Sequence, residues 1–387
     1  MSIIKENDKK YIAPTYGRFP VEFDRAEGST VYDCDGKKYI DMGAGIATTA
    51  FGHCDSEYIK AVTEQLNKYA HASNLYFTAP QVKLAELLCE KTGMKKVFFA
   101  NSGAEANEGM IKAARKYSFD KYGEGRNKII TLKNSFHGRT VTTLSATGQD
   151  VFHNYFFPFT EGFDYAPAND IEGTKALITD DVCAVMVELV QGEGGVLPLE
   201  ADYVNEIYSL CAEKDILFCV DEVQTGNGRC GALYAYMRYN IKPDIISTAK
   251  GLGGGLPIGA VILGEKTENT LGPSTHGSTF GGNPVCAAGA YNVISRIDEA
   301  LLEDVEKKSE YIISRLKACK NTVSVSGMGL LLGVKTTKDS KEVVNACIAD
   351  GVLALTAKDK IRLTPPLNIS FEDLEKALDV ICKNIDK

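Results

Sequence analysis

Five short apolar runs, at 97–100, 128–132, 182–187, 216–220 and 245–248, constrain the fold of this chain more than any other feature. Runs this short, apolar on both faces, predict strands buried on both sides rather than half-exposed ones. Stretches of helical period lie among them, at 57–69, 81–91 and 104–122. Strands alternating with helices at this spacing predict an α/β protein whose mostly parallel central sheet is covered by helices. A short meander at 21–45, turning at Asp35-Gly36, precedes this region. Beyond Asn283-Pro284 the alternation stops. A long helix over 285–302, continuing after a break to Lys317, leads into the Val-, Leu- and Gly-rich 323–335. A further helix, a strand at Ile361-Arg362-Leu363, a Pro365-Pro366 turn and a helix from Phe371 complete a smaller α+β domain. A chain of 387 residues has room for about two domains. We place an N-terminal arm and part of the small domain at 1–50, a large domain at 51–265 and the rest of the small domain at 266–387.

Composition narrows the functional class. A net charge of −8 works against nucleic acid as partner, because phosphates demand a basic face. Residues 1–10 are polar, and no apolar run reaches the roughly 18 residues of a spanning helix. The 11 cysteines are scattered, without a C-x-x-C pair. That pattern predicts no metal centre or disulfide framework, and fits buried thiols in a reducing cytoplasm. Cys34, Cys219 and Cys286 are expected to act as small hydrophobes.

The chemistry gathers where the strands end, which is where open α/β sheets bind ligands. The run at 216–220 leads straight into Asp221-Glu-Val-Gln-Thr-Gly226, and 245–248 into Lys250-Gly-Leu-Gly-Gly-Gly255. An acid and a lysine so placed suit pyridoxal 5′-phosphate: the lysine forms the covalent link and the acid holds the ring nitrogen protonated. Taken alone, each is equally a solvated strand terminus. After 97–100 comes Asn101-Ser-Gly-Ala-Glu-Ala106, in which Ser102 and Glu105 have capping-box spacing and Gly103 permits close approach. It reads as a phosphate cradle at a helix start or as an ordinary capped helix. After 128–132 comes Ser135-Phe-His-Gly-Arg-Thr140, where Phe136 can stack on a ring and Arg139 can grip a carboxylate, or the two can be core and surface. After 182–187 comes Glu188-Leu-Val-Gln-Gly-Glu-Gly-Gly195, with two carboxylates five residues apart. The loop at 276–284 adds three glycines and two hydroxyls at the domain junction.

Together these residues closely resemble the class-III (ω-amino acid) aminotransferases, which are fold type I pyridoxal phosphate enzymes. The likeness runs from Thr15-Tyr-Gly-Arg-Phe-Pro-Val21 to Arg362-Leu-Thr-Pro-Pro366, and is most specific in Asp221–Arg229 with the Lys250 loop. The compact length, the Tyr16-Gly-Arg-Phe-Pro-Val21 start and Ser73-Asn-Leu-Tyr-Phe77 look most like members acting on N-acetylornithine in arginine biosynthesis. The resemblance implies that Lys250 carries the cofactor and that Asp221 partners the ring nitrogen. It places Val223 and Phe136 on the two ring faces, Gln224 at the ring hydroxyl and Glu188 in support. Ser102, Gly103 and Ala104 would hold the phosphate, joined by Thr279 from the other subunit of a homodimer. Arg139 would bind the α-carboxylate of 2-oxoglutarate, glutamate or acetylornithine. Glu193 would pair with Arg362, closed for ω-amines and open for glutamate, and Tyr16 would line the substrate pocket. Two positions depart from the family pattern. Ile46 stands where ornithine-specific members carry a pocket tyrosine, which argues for an acylated or shorter donor. Gly52-His-Cys-Asp-Ser56 replaces the usual Gly-His-Cys-His-Pro, with Asp55 or Ser56 able to cap the following helix.

The implied activity is ping-pong transfer of the δ-amino group of N-acetylornithine to or from 2-oxoglutarate. Succinylornithine, ornithine, 4-aminobutyrate and N-acyl-lysine amines remain open as alternative donors. An aminomutase of the glutamate-semialdehyde type, or a non-catalytic homologue, are the readings from other classes.

Overall fold

Residues 182–187 and 217–221 are buried at every position, as a central strand covered on both faces must be. In the computed structural model, which describes residues 2–387, they occupy the middle of a seven-stranded sheet. Across it the strands run Lys96–Ala100, Gly259–Leu263, Ile245–Thr248, Leu217–Asp221, Val182–Val187, Lys128–Leu132 and Phe163–Ala166. Six share one direction, and Gly259–Leu263 alone is antiparallel to both neighbours. The α/β expectation holds. Burial of side chains such as Val185, Phe218 and Ile246 stabilises the layer by roughly 1.5–3 kcal/mol apiece.

Several details depart from the expectations. Phe163–Ala166 and Gly259–Leu263 were not anticipated as strands; the first is a half-buried edge and the second follows directly on the glycine loop. The expected strand at 216–220 lies one residue later, so Asp221 is its last member and pairs in register with Ser247. The long helix breaks before Leu302: it is two helices, Pro284–Ser295 and Glu299–Lys317, because the Asp298 carboxylate caps Leu301 N at 2.9 Å and starts a new one. Cys34 is exposed, not a core hydrophobe, whereas Cys219 and Cys286 are buried.

The meander pairs as expected, with Phe23–Glu27, Thr30–Asp33 and Lys38–Asp41 antiparallel. Val352-Leu353 then adds in parallel to Lys38–Asp41, so the two ends of the chain meet in one sheet. The run at 323–335 folds as a hairpin, Thr322–Met328 with Leu331–Thr336. Lys360–Leu363 lies beside it and sets Arg362 opposite Gly333. Asp55 does cap the Ser56–Leu66 helix, accepting from Tyr58 N at 2.9 Å. Among the described residues no helix is long and apolar enough to cross a membrane.

Candidate active site

Five of the co-directed strands deliver their following loops to one cavity of about 240 Å³. Lys96–Ala100 supplies Gly103 and Ala104, and Lys128–Leu132 supplies Phe136 and Arg139. Val182–Val187 supplies Glu188, Leu217–Asp221 supplies Asp221, Val223 and Gln224, and Ile245–Thr248 supplies Lys250. Three lining residues, Asn107, His137 and Gly138, were not singled out from the sequence.

Asp221 is 3% exposed. Its Oδ2 accepts from Asn107 Nδ2 at 2.7 Å and from His137 Nδ1 at 2.8 Å, and its Oδ1 accepts from Val223 N at 3.0 Å. A carboxylate only accepts, so His137 Nδ1 is the donor in this contact and carries a proton. Lys250 begins a short 3₁₀ turn with φ of +45°, a left-handed conformation costing about 1–3 kcal/mol for a side-chain-bearing residue. Its Nζ has no hydrogen bond or ion pair among the described residues, although its carbonyl accepts from Gly253 N at 3.0 Å. Burial, with Arg362 nearby, depresses its pKa against the raising influence of Glu193, Asp221 and Glu188; more of the amine is therefore unprotonated and able to act as a base.

The helix Gly103–Tyr122 starts at the cavity wall. Ser102 caps it, its Oγ accepting from Glu105 N at 3.2 Å, and Glu105 reaches back to Asn101 N at 2.6 Å. The first-turn N–H groups of Gly103 and Ala104 have no helical acceptor and favour an anion. A Cβ on Gly103 would lie 2.6 Å from Val223 Cγ1, so only glycine lets Val223 close against the helix start. Gly192 plays the same part for Gln224, whose Oε1 would stand 2.3 Å from an added Cβ.

Arg362, 3% exposed, donates to both Glu193 and Gln224 Oε1, the latter at 3.2 Å. Burial would raise the Glu193 pKa, but the Arg362 charge and hydrogen bond override it and hold the carboxyl below its ordinary value. Glu188 is driven well above its ordinary value by burial and then by the Asp221 charge, although it accepts from Phe136 N at 2.7 Å. Arg139 is exposed at the cavity edge, its guanidinium 3.9 Å from the Phe152 ring centre, and has no carboxylate partner among the described residues.

Three expected site residues lie elsewhere in this chain. Tyr16 and Ile46, 74% and 44% exposed, share a separate groove with Leu353 and Leu355, because the segment around Tyr16 runs over the surface without regular structure. Thr279 lines a recess with Phe98, Asn101 and His276.

The family model described as aminotransferase class-III matches residues 11–385. The chain is a class-III aminotransferase. A Haemophilus ducreyi relative, an acetylornithine aminotransferase, is 48% identical over 383 residues, covering 98% of each chain. Acetylornithine aminotransferase from Elizabethkingia anophelis superposes with a TM-score of 0.89 at 33% identity, covering 99% of this chain and 98% of that one. Ornithine aminotransferase from Toxoplasma gondii, with pyridoxal phosphate in part of its active sites, superposes with a TM-score of 0.94 at 31% identity, covering 99% and 93%.

Class-III aminotransferases depend on pyridoxal 5′-phosphate, and the cavity of this one fits that group. It offers an acid with acceptor capacity left on Oδ1, a lysine whose amine has no partner among the described residues, a wall that only glycine permits at Gly103, and first-turn N–H groups without a helical acceptor for a phosphate. Next to Asp221, Glu222 is wholly buried, and its carboxylate accepts from Thr225 Oγ1 and from Tyr236 N at 2.8 Å. Burial pushes this class-III aminotransferase's Glu222 up to about 7 from 4.5, against those hydrogen bonds. Between those pH values the folded state keeps a proton the unfolded chain has released, so stability falls as pH rises through the window. The loss is on the order of 3 kcal/mol by linkage. Glu222→Gln keeps the shape without the charge, and is expected to stabilise the protein at pH 8 relative to its effect at pH 5. Denaturant titrations of both proteins at both pH values check this; an equal effect at each would contradict it.

Proposed function

We propose that the chain exchanges the δ-amino group of N-acetylornithine with 2-oxoglutarate, in two half-reactions at the Lys250 cavity. One observation carries the reading. Arg362 is already closed on Glu193, so Arg139 is the guanidinium left at the cavity for a carboxylate. A donor held there by its α-carboxylate would present its far amine toward Lys250. The acetylornithine aminotransferases among the relatives support the acetylated donor.

The bound cofactor would supply an electron-withdrawing ring that stabilises the charge left when a proton leaves the amine-bearing carbon. In this reading Lys250 carries the cofactor and Asp221 partners its ring nitrogen. Val223 and Phe136 flank the ring, Gln224 lies beside its hydroxyl and Glu188 supports that side. Ser102, Gly103 and Ala104 hold the phosphate. Lys250 Nζ, its pKa lowered by burial, takes the proton from the substrate carbon. Opening of Glu193 from Arg362 would free a second guanidinium for the α-carboxylate of glutamate. A homodimer is part of the proposal: Leu75, Tyr76, Phe77 and Phe280 are exposed, and Asn74 ties their segment to the Thr279 loop at Ser278 O and Gly281 O. In that dimer Thr279 serves the other subunit's phosphate.

The test is a donor panel against 2-oxoglutarate. N-acetylornithine is expected to exceed ornithine and 4-aminobutyrate in kcat/KM by about tenfold or more; preference for either rival would overturn the donor assignment. Glu193→Ala is expected to shift the ratio of kcat/KM values toward glutamate with cofactor retained. Unchanged ratios would count against the paired arginine as a gate.

A further inference from the structure

Asn107 has no part in the reading above, yet its amide makes three hydrogen bonds in the cavity wall, as many as the Asp221 carboxylate. Its side chain is buried, with 1% of the residue exposed. Nδ2 donates to Asp221 Oδ2 and to the His137 carbonyl, each at 2.7 Å, and Oδ1 accepts from Ser247 Oγ at 2.6 Å. A carboxylate and a backbone carbonyl can only accept, which decides which end of the amide is nitrogen. Ser247 is itself fully buried and lies in register with Asp221 on the neighbouring strand. The other buried positions of the same helix are small or apolar, Ala106, Gly109, Met110, Ile111, Ala113 and Ala114, with Ser118 the one other polar residue. Alanine would also serve the helix better than asparagine at 107, since asparagine lowers helix propensity and an unpaired buried amide is costly. The amide therefore answers a need at Asp221.

That need is orientation. Oδ2 of Asp221 takes two donors, Asn107 and His137, and is filled. Oδ1 takes one, Val223 N, and keeps a lone pair to offer. We propose that Asn107, locked from behind by Ser247, is a positioning residue that holds Asp221 in the rotamer presenting Oδ1 to the ring nitrogen of the cofactor. The inference rests on the proposed pairing of Asp221 with that nitrogen. The ionisable groups around Asp221 are His137, in contact, and Glu188, Glu222 and Lys250. Asn107 is uncharged, so replacing it with leucine changes the orientation of the acid without changing the charge of the site.

The experiment compares the cofactor-loaded wild type with Asn107→Leu, Asn107→Asp, Ser247→Ala and, as reference, Asp221→Asn. For each protein, kcat, KM, cofactor affinity and the pH titration of the bound cofactor's absorbance are measured. Asn107→Leu is expected to lower kcat roughly ten- to a hundredfold, the worth of a hydrogen bond to a charged group, with KM little changed and the absorbance titration displaced. Asn107→Asp is expected to be worse, because two carboxylates at this separation must share a proton. Ser247→Ala is expected to move the titration in the same direction by less. A lowered melting temperature with wild-type kcat and titration would make Asn107 merely structural and overturn the proposal. If Asn107→Leu does not fold, an unchanged titration in Ser247→Ala overturns it equally. A silent Asp221→Asn would instead remove the pairing of Asp221 with the ring, and this proposal with it. A damaged Asp221→Asn beside a silent Asn107→Leu defeats this proposal alone.

Discussion

Lys250→Ala is expected to abolish turnover, by on the order of 10⁴-fold or more, because one amine serves as both cofactor anchor and proton carrier. The fold should not notice. The Lys250 side chain makes no hydrogen bond or ion pair among the described residues, and its carbonyl's bond to Gly253 N survives in alanine, so the substitution leaves no group unsatisfied. Alanine inherits the same left-handed backbone, φ +45°, and neither relieves nor adds to its cost. Taking away the amine forfeits its attraction to Glu193, Asp221 and Glu188, but burial and Arg362 outweigh that attraction, so the net electrostatic effect on the fold is not a loss. Cofactor should still enter, since the helix start at Gly103 and the Asp221 carboxylate are untouched, but without the absorption band of the lysine-linked form. The checks are rapid-mixing kinetics, the absorbance spectrum and a melting curve on the same preparation. Added small amines should restore part of the proton transfer. Turnover near wild type would sink the assignment of Lys250, whereas a collapsed melting temperature would show that the lysine supports the fold.

The sequence made strand ends easy to read and long-range contacts hard. An apolar run that stops at Asp221, Lys250 or Ser102 marks both an element boundary and a change of chemistry, and the structure brings Asp221 and Lys250 to one cavity with Gly103, Phe136 and Glu188. Gly259–Leu263 escaped because an antiparallel strand directly after a glycine loop breaks the strand–helix rhythm on which the expectation rested. The early break at Asp298 is a capping event that outweighed a continuous apolar period. The links behind Asp221 had no local signature: Ser247 and Asn107 bond across 140 residues, and His137 and Asp221 across 84. His137 stood within a motif already noted and Asn107 directly after one, in the helical stretch 104–122, but nothing in their spacing tells which side chain turns inward. For Tyr16 and Ile46 the resemblance suggested pocket positions, whereas in the single chain both lie in the exposed groove beside Leu353.

Asp221→Asn is expected to lower kcat roughly 10²- to 10³-fold, comparable to losing a preorganised electrostatic group at a transition state. The size of the effect follows from where an amide must point. Oδ2 receives donors from both Asn107 and His137, so the oxygen of the new amide has to stay there. Its nitrogen then takes the Oδ1 place, where it meets Val223 N, a second donor, and turns a donor toward the ring. The variant therefore loses a charge and also reverses the polarity of the contact that should keep the ring nitrogen protonated. The opposed donors should cost about 1–3 kcal/mol of stability, so a modest fall in melting temperature accompanies the kinetic loss. Glu188 sets the floor. Its pKa is raised by burial first and by the Asp221 charge second, so removing that charge lets Glu188 ionise more readily and returns part of the negative potential to the cavity. Some activity should survive on that account and should grow with pH as Glu188 loses its proton. Pre-steady-state rates across pH, with the absorbance of the bound cofactor followed in parallel, measure both the loss and its recovery. A flat pH dependence would remove Glu188 from the account, and a kcat close to wild type would remove Asp221.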